Sequence, residues 1–168
     1  RLWLTSMPSA DFPISILQYS IKMTIEPPQG LKANMLRSFN RFTDALVHGA
    51  CKNRPKAWRG LLFGITLFHA VIQDRRKFGP LGWNKSYDFT DGDLMVCVTQ
   101  IRMYLETYER IPWSVIRFLC GEINYGGRVT EAQDRVLLST LLENFIHPGV
   151  IEFGHKFSPS GIYQTSTA

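Results

Sequence analysis

Histidine is the residue type in this chain best suited to proton transfer or metal binding, and none of the four histidines has a partner at metal-ligand spacing. His69 lies among Leu67, Phe68, Val71 and Ile72 in an apolar helical pattern. Such surroundings are typical of a half-buried core histidine that is hydrogen-bonded within the protein. The alternative is an enzyme in which His69 acts as general base with a nearby carboxylate, and unchanged activity after His69→Gln would exclude it.

Short motifs that assign an enzyme class directly are absent from the sequence. It contains no GxxxxGK[ST], HExxH, GxSxG, GxGxxG or paired CxxC. Without the backbone cradle and lysine that hold nucleotide phosphates, we do not expect this chain to hydrolyse ATP by itself. Asp88, Asp91 and Asp93 lack the spacing of an EF-hand loop, so we interpret them as capping and first-turn charges. We therefore predict no catalytic, cofactor-binding or metal-binding residues.

Basic residues are concentrated in the first half of the chain. The net charge is +5; residues 1–84 hold 12 basic and 4 acidic residues, and residues 85–168 hold 7 and 10. A basic half suits nucleic acid, an acidic partner surface or the remainder of a larger assembly. The basic residues do not interleave with aromatic residues in a known nucleic-acid motif, so we expect no nucleic-acid partner.

Five residues are candidates for an interface. Arg75, Arg76 and Lys77 either complement the dipole at a helix C-terminus or bind an acidic neighbour or a phosphate. Arg128 follows a glycine pair and either belongs to a structural linker or contacts a ligand. Trp83 either plugs a helical bundle from a loop or, if exposed, marks an interface.

The elements that must position these residues change character at Gly30. Before it, residues 2–4 and the alternating residues 21–25 predict two strands, joined by a short helix over residues 12–18. An isolated pair of strands is marginally stable, so we expect the rest of a sheet to lie upstream of this chain.

After Gly30 the apolar residues recur at helical spacing and predict five helices. Thr90 is expected to cap the third of these helices, and Thr130 with Gln133 fits a capping box for the last. From His147 onward the chain is rich in proline, glycine and serine, which indicates a linker or the edge of another domain. The helices begin near residues 31, 57, 90, 112 and 130.

Cysteine content and hydropathy indicate the cellular setting. The three cysteines form no CxxC pair, which favours a reduced intracellular protein. The longest apolar run, residues 61–72, is shorter than the roughly 18 residues of a membrane span. We therefore expect no membrane partner.

Several long strings resemble the C-terminal motor region of dynein heavy chains, and the similarity covers nearly the whole chain in order. The strings are Leu4-Thr5, Phe12-Pro13, residues 26–34, 68–83 and 121–130. Residues 157–163 resemble axonemal rather than cytoplasmic heavy chains. Residues 40–56 and 131–134 depart from the family pattern.

The resemblance implies a fold and a domain organisation. The similar region is the end of the sixth AAA+ module, so the expected fold is mainly α: a helical bundle, the AAA+ lid, preceded by a strand-helix-strand remnant of an AAA+ α/β core. Residues 1–29 would end the large α/β subdomain, residues 30–147 would form the lid, and residues 148–168 would link to a C-terminal domain. Thr5 would lie near the sensor-1 strand, but this module is non-hydrolysing in the family, so we assign Thr5 no catalytic role.

The resemblance also implies a function. The chain would be a non-catalytic ring segment of an axonemal dynein heavy chain, part of an ATP-driven, minus-end-directed microtubule motor for ciliary movement in the cytoplasm, cytoskeleton and axoneme. ATP and Mg would bind elsewhere in the parent. Partners would be other AAA+ modules of the same heavy chain and, through the parent, intermediate chains, light chains and microtubules. The alternative is a freestanding helical adaptor that binds protein through its basic half.

Overall fold

The computed structural model describes residues 2–6, 9–23 and 30–165, and nearly all regular structure in these residues is helical. Within these ranges, seven α-helices are joined by short 3-10 turns and one π-helical turn. The α-helices are α1 (Ile14–Tyr19), α2 (Leu31–Phe39), α3 (Asp44–Gly49), α4 (Pro55–Asp74), α5 (Asp91–Thr107), α6 (Trp113–Phe118) and α7 (Ala132–Glu143). The 3-10 turns are Arg75–Leu81, Gly126–Arg128 and Pro148–Ile151, and the π turn is Leu119–Tyr125.

Helix α4 forms the centre of the bundle. Pro55 occupies its first turn, where the missing backbone N–H costs nothing. The 20 residues of this helix extend about 30 Å and are apolar on most sides, as expected for a helix surrounded by others. Helices α2, α3, α5 and α7 and the turn Pro148–Ile151 all pack against α4.

Two glycines on α4 let the C-terminal part of the chain approach the helix backbone. A Cβ at Gly60 would lie 2.5 Å from the Val150 carbonyl oxygen, and a Cβ at Gly64 would lie 2.5 Å from that of Phe145. Since real Cβ atoms do not approach an oxygen so closely, only glycine fits at either position. The segment after α7 is thereby packed onto α4.

The predicted helical bundle is confirmed. The cap predicted at Thr90, at the start of α5, is also confirmed. The Thr90 backbone N–H donates to Asp93 Oδ2 at 2.7 Å, in a capping box that begins α5. One short helix, α3, was not predicted. Helix α4 ends at Asp74, where the chain changes to the tighter 3-10 turn.

The capping box predicted for the last helix is wrong. Helix α7 begins at Ala132 with Glu131 as N-cap, and no side chain caps it. Its first-turn carboxylate, Asp134, points inward instead and is 2% exposed. The buried Asp134 carboxylate therefore fixes the start of α7, and the Thr130 side chain does not.

The predicted strands are wrong for the residues that the structure describes. Residues 2–6 and 21–23 have no strand pairing, and residues 24 and 25 lie outside the described ranges. The helix predicted between them is present as α1, although none of its residues is buried. A strand exists only when a neighbouring strand accepts its hydrogen bonds, and residues 2–6 and 21–23 do not pair with each other. In the described ranges, the single β-bridge joins Lys156 and Gln164.

In the part of the chain that the structure describes, no helix combines the length and the apolar character needed to cross a membrane.

Candidate functional site

The basic run at the end of α4 is bound to groups of this same chain. The Arg75 side chain donates from Nε and Nη2 to the Gly82 carbonyl oxygen at 3.2 and 3.1 Å. Arg76 pairs with Asp88, and Lys77 Nζ lies 2.6 Å from Asp74 Oδ2. Each of the three predicted interface cations therefore has an internal partner.

Trp83 is a core residue. Its side chain is 3% exposed, and Nε1 donates to the Ile72 carbonyl oxygen at 3.1 Å. Its ring packs against Tyr87 and Phe89, with centroids 5.9 and 5.6 Å away. This position agrees with a plug inserted from a loop, and Trp83 offers no exposed surface to a partner.

Arg128 lies away from the other predicted interface residues, in the 3-10 turn Gly126–Arg128. Its side chain contacts the beginning of α5. Its Nε is 2.7 Å from Asp93 Oδ2, and Nη2 donates to Thr90 Oγ1 at 3.3 Å. The guanidinium therefore ties the glycine turn to the capping box. The structure thus brings Arg75, Arg76, Lys77 and Trp83 together in one segment and places Arg128 in another.

Asp134 is a buried anchor that the sequence analysis did not find. Its carboxylate accepts hydrogen bonds from the Asn84 backbone N–H and Nδ2 at 3.1 and 3.0 Å and from the Tyr87 hydroxyl at 2.9 Å. Burial raises the pKa of this carboxyl, but the hydrogen bonds from Asn84 and Tyr87 outweigh burial and hold the pKa below its usual value. The signal was present, because Asp134 shares a helix face with Leu138 and Leu142.

His69 is fully buried, not half-buried as predicted, and it connects three elements. Its Nδ1 lies 3.0 Å from the Tyr125 hydroxyl on the π turn, and its Nε2 lies 3.7 Å from Asp91 Oδ1. Asp91 also pairs with Arg37 and Arg41, at 2.9 and 2.5 Å. The nearby imidazole and the two guanidinium groups lower the pKa of Asp91 against the effect of burial.

This network does not suit acid–base catalysis in the conformation described. The His69 side chain is 0% exposed, so a substrate could not reach either ring nitrogen. Burial raises the pKa of Tyr125 well above its usual range, so its hydroxyl stays protonated and available to His69. The arrangement joins α4 to α5 and to the π turn, which is a structural role.

The cysteines are buried thiols. Cys97 and Cys120 pack together on α5 and the π turn, and the neighbouring thiol and burial raise the pKa of Cys120 well above its usual range. Burial, with a contribution from Glu106, raises the pKa of Cys51 to about 11. Because the thiolate is the reactive form, the raised pKa values of Cys51 and Cys120 disfavour nucleophilic chemistry at these two positions.

Two clefts in the described residues differ in size and lining. One, of about 220 Å³, lies between α4 and the C-terminal segment and is lined mainly by apolar side chains such as Phe39, Phe63 and Ile151. The other, of about 490 Å³, lies between the π turn and α7 and is lined mainly by polar and charged side chains such as Glu122 and Arg135. Pockets for small organic ligands usually enclose about 300–1,000 Å³. Within the described ranges, no group of three or more histidine, cysteine, aspartate or glutamate residues could hold a metal ion.

Comparison with known proteins gives one consistent result. A family model described as the dynein heavy chain AAA lid domain matches residues 58–168. The chain is 52% identical over 163 residues to dynein axonemal heavy chain 1 of Rattus norvegicus, 49% over 166 residues to dynein axonemal heavy chain 12 of Mus musculus, and 47% over 165 residues to dynein axonemal heavy chain 3 of Homo sapiens. Each alignment covers 97% of this chain and only 4–5% of the relative.

Proposed function

Since the chain belongs to the dynein heavy chain family and carries its AAA lid domain, we propose that it serves as a non-catalytic ring segment of an axonemal heavy chain. The parent is proposed to be an ATP-driven, minus-end-directed microtubule motor that moves cilia from within the axoneme. ATP and Mg bind elsewhere in that parent, and the phosphate-binding motif is absent from this sequence.

The proposed role is mechanical: the lid packs on neighbouring modules of the ring and transmits rigid-body shifts between them. The observation that supports it is the set of buried polar contacts that tie the elements together. Asp134 of α7 holds the chain before α5, and His69 of α4 joins Tyr125 and Asp91. A body linked in this way moves as a unit, as coupling between packed interfaces requires.

The remaining proposals concern the context of the lid. Residues 1–29 are proposed to complete the α/β subdomain of the same module, and their exposed apolar side chains, including Trp3 and Ile21, would be covered there. Residues 148–168 are proposed to lead toward a C-terminal domain. Intermediate chains, light chains and microtubules are proposed partners of the parent. A freestanding adaptor is less well supported, because the chain is 52% and 49% identical to heavy chains of which it spans only 4–5%.

The proposal is tested by Asp134→Ala in the complete heavy chain. Loss of the buried anchor loosens the lid, so we expect microtubule gliding to slow by at least about threefold while ATP turnover continues. Asp11→Ala is the matched control, because Asp11 is exposed. Gliding at the unaltered speed would contradict a mechanical role. Loss of nucleotide binding in the same variant would place this chain in a nucleotide site.

A further inference from the structure

The segment that contains the predicted interface cations is a loop closed on itself, which we name the 75–82 loop. Besides the bonds from Arg75 to the Gly82 carbonyl oxygen, the backbone N–H groups of Gly82 and Trp83 both donate to the Gly79 carbonyl oxygen at 2.9 Å. The buried Trp83 ring anchors the end of the loop, and the Arg75 guanidinium lies 5.6 Å from that ring. These bonds favour one conformation of the loop.

Two glycines make this conformation possible. Gly79 has φ 56° and ψ −135°, a combination that side chains disfavour. A Cβ at Gly82 would lie only 1.9 Å from the Arg75 carbonyl oxygen. The shape of the loop therefore depends on glycine at both positions.

The loop presents apolar side chains to solvent. Leu81 is 89% exposed and Phe78 is 55% exposed, although the loop is anchored by buried groups on both sides. A flexible loop could turn such side chains inward, whereas this loop holds them outward. Exposed apolar residues on a rigid support are typical of the centre of an interface.

Positive charge surrounds these apolar residues. The segment 74–88 carries four basic and two acidic residues. The side chains of Arg76 and Lys77 remain 54% and 52% exposed in their ion pairs, and Lys77 Nζ lies 5.1 Å from the centre of the Phe78 ring. A complementary surface would have an apolar pocket with carboxylates at its rim.

We propose that Phe78 and Leu81 insert into an apolar, acidic-rimmed pocket on another module of the same heavy chain. The inference rests on the proposed function, and it moves the contact from Arg75 and Arg76 to the apolar residues that follow them in the loop. The length of the relatives favours a partner in the same heavy chain, because this chain spans only 4–5% of them. In this interface Arg75 shapes the loop, whereas Arg76 and Lys77 meet the acidic rim.

Photo-cross-linking in the complete heavy chain tests the proposal. Leu81 is replaced by p-benzoylphenylalanine, and the cross-linked peptides are identified by mass spectrometry. Ile162, which is 77% exposed, is the matched control position. We expect cross-links from position 81 to a distant segment of the same polypeptide, with at least about fivefold higher yield than from position 162.

Three outcomes would overturn the proposal: a yield no higher than at position 162, cross-links confined to residues 1–168, or cross-links to a separate polypeptide or a second heavy chain.

The acidic rim is tested by adding Arg76→Glu and Lys77→Glu, which should lower the yield at position 81 at least about threefold. Arg110→Glu is the control for the change of charge, and an equal loss with it would contradict the rim. The cross-link can fail while Asp134→Ala still slows gliding, so the two proposals are separately refutable.

Discussion

Asp134 stabilises this fold because one carboxylate satisfies several buried donors at once. It accepts hydrogen bonds from Asn84 and Tyr87, and the Tyr87 hydroxyl in turn accepts one from the Glu131 backbone N–H at 3.2 Å. The loop that follows Trp83 is thus attached to the first turn of α7. A charged residue buried in this way is stabilising only while its partners remain in place.

We expect Asp134→Ala to lower the free energy of unfolding of the 168-residue chain by about 2–4 kcal/mol, because it leaves the buried donors of Asn84 and Tyr87 without an acceptor. Urea denaturation followed by circular dichroism measures the change. The exposed control Asp11→Ala should change the free energy by less than about 0.5 kcal/mol. Equal effects of the two substitutions would show that the buried carboxylate is not an anchor.

Acid should destabilise the chain partly through the same carboxylate. The folded-state pKa values of Asp134 and Asp91 lie below their usual value of 3.8, so both groups stabilise the fold above that pH and lose this effect as the pH falls through their folded values. Burial and the neighbouring His155 lower the pKa of His147. Protonation of His147 therefore lowers the free energy of unfolding below about pH 6.5, equally in the wild type and in Asp134→Ala.

The difference in unfolding free energy between wild type and Asp134→Ala should therefore be constant from pH 7 to about pH 5 and should shrink below about pH 4. Urea denaturation at a series of pH values measures it. A difference that grows as the pH falls would mean that the folded-state pKa of Asp134 is raised, contrary to the hydrogen bonding described.

Connections between the helices depend on backbone geometry as much as on side chains. The 75–82 loop needs glycine where a Cβ would collide with the Arg75 carbonyl oxygen, whereas Gly127 has no heavy atom within 4 Å of an added Cβ. These two glycines lie in short 3-10 segments or directly after them, so they form a matched pair. They differ in whether the surrounding backbone can accept a side chain.

Gly82→Ala is expected to lower the free energy of unfolding by about 2 kcal/mol or more, since the backbone must shift to accommodate the methyl group. Gly127→Ala should change it by no more than about 0.5 kcal/mol. Thermal or urea unfolding of the two variants gives the comparison. Similar losses in both would contradict the steric difference between the two positions.

Helices were predictable from the sequence wherever a long apolar pattern existed. The spacing of Leu61, Ile65, Phe68 and Ile72 predicted α4, and all four side chains are buried. Short α3 has no such pattern and was missed. The strands were predicted from the short apolar run at residues 2–4 and from the alternation at residues 21–25, but pairing requires neighbouring strands and cannot be read from one segment.

Predictions for the site were less complete, because charge alone does not reveal its partner. The basic residues Arg75, Arg76 and Arg128 stood out in the sequence, and in the structure Asp88, Asp93 and a carbonyl oxygen of the same chain bind them. Arg76 and its partner Asp88 are not adjacent in the sequence, nor are Arg128 and its partner Asp93. Only the tertiary structure therefore brings each pair together. The exposure of Phe78 and Leu81 likewise follows from the fold of the loop.

Residues 58–168 match the model of a dynein heavy chain AAA lid domain, and the described residues are tied together by buried polar networks. The membership of this chain in the dynein heavy chain family rests on the match over residues 58–168, which does not include the segments predicted as strands. The lid hypothesis predicted those strands, so their absence from residues 2–6 and 21–23 counts against that part of it. A mechanical lid must be a stable body that acts through contacts and binds no nucleotide itself.

A thermal melt of the 168-residue chain with and without Mg-ATP tests this requirement most directly. A ligand that binds only the folded state at 100 times its dissociation constant adds about 2.7 kcal/mol, which for a chain of this size raises the melting temperature by roughly 5–10 °C. We predict one cooperative transition that millimolar Mg-ATP does not move. An upward shift of several degrees would show that the chain has a nucleotide site of its own and would contradict a purely mechanical lid.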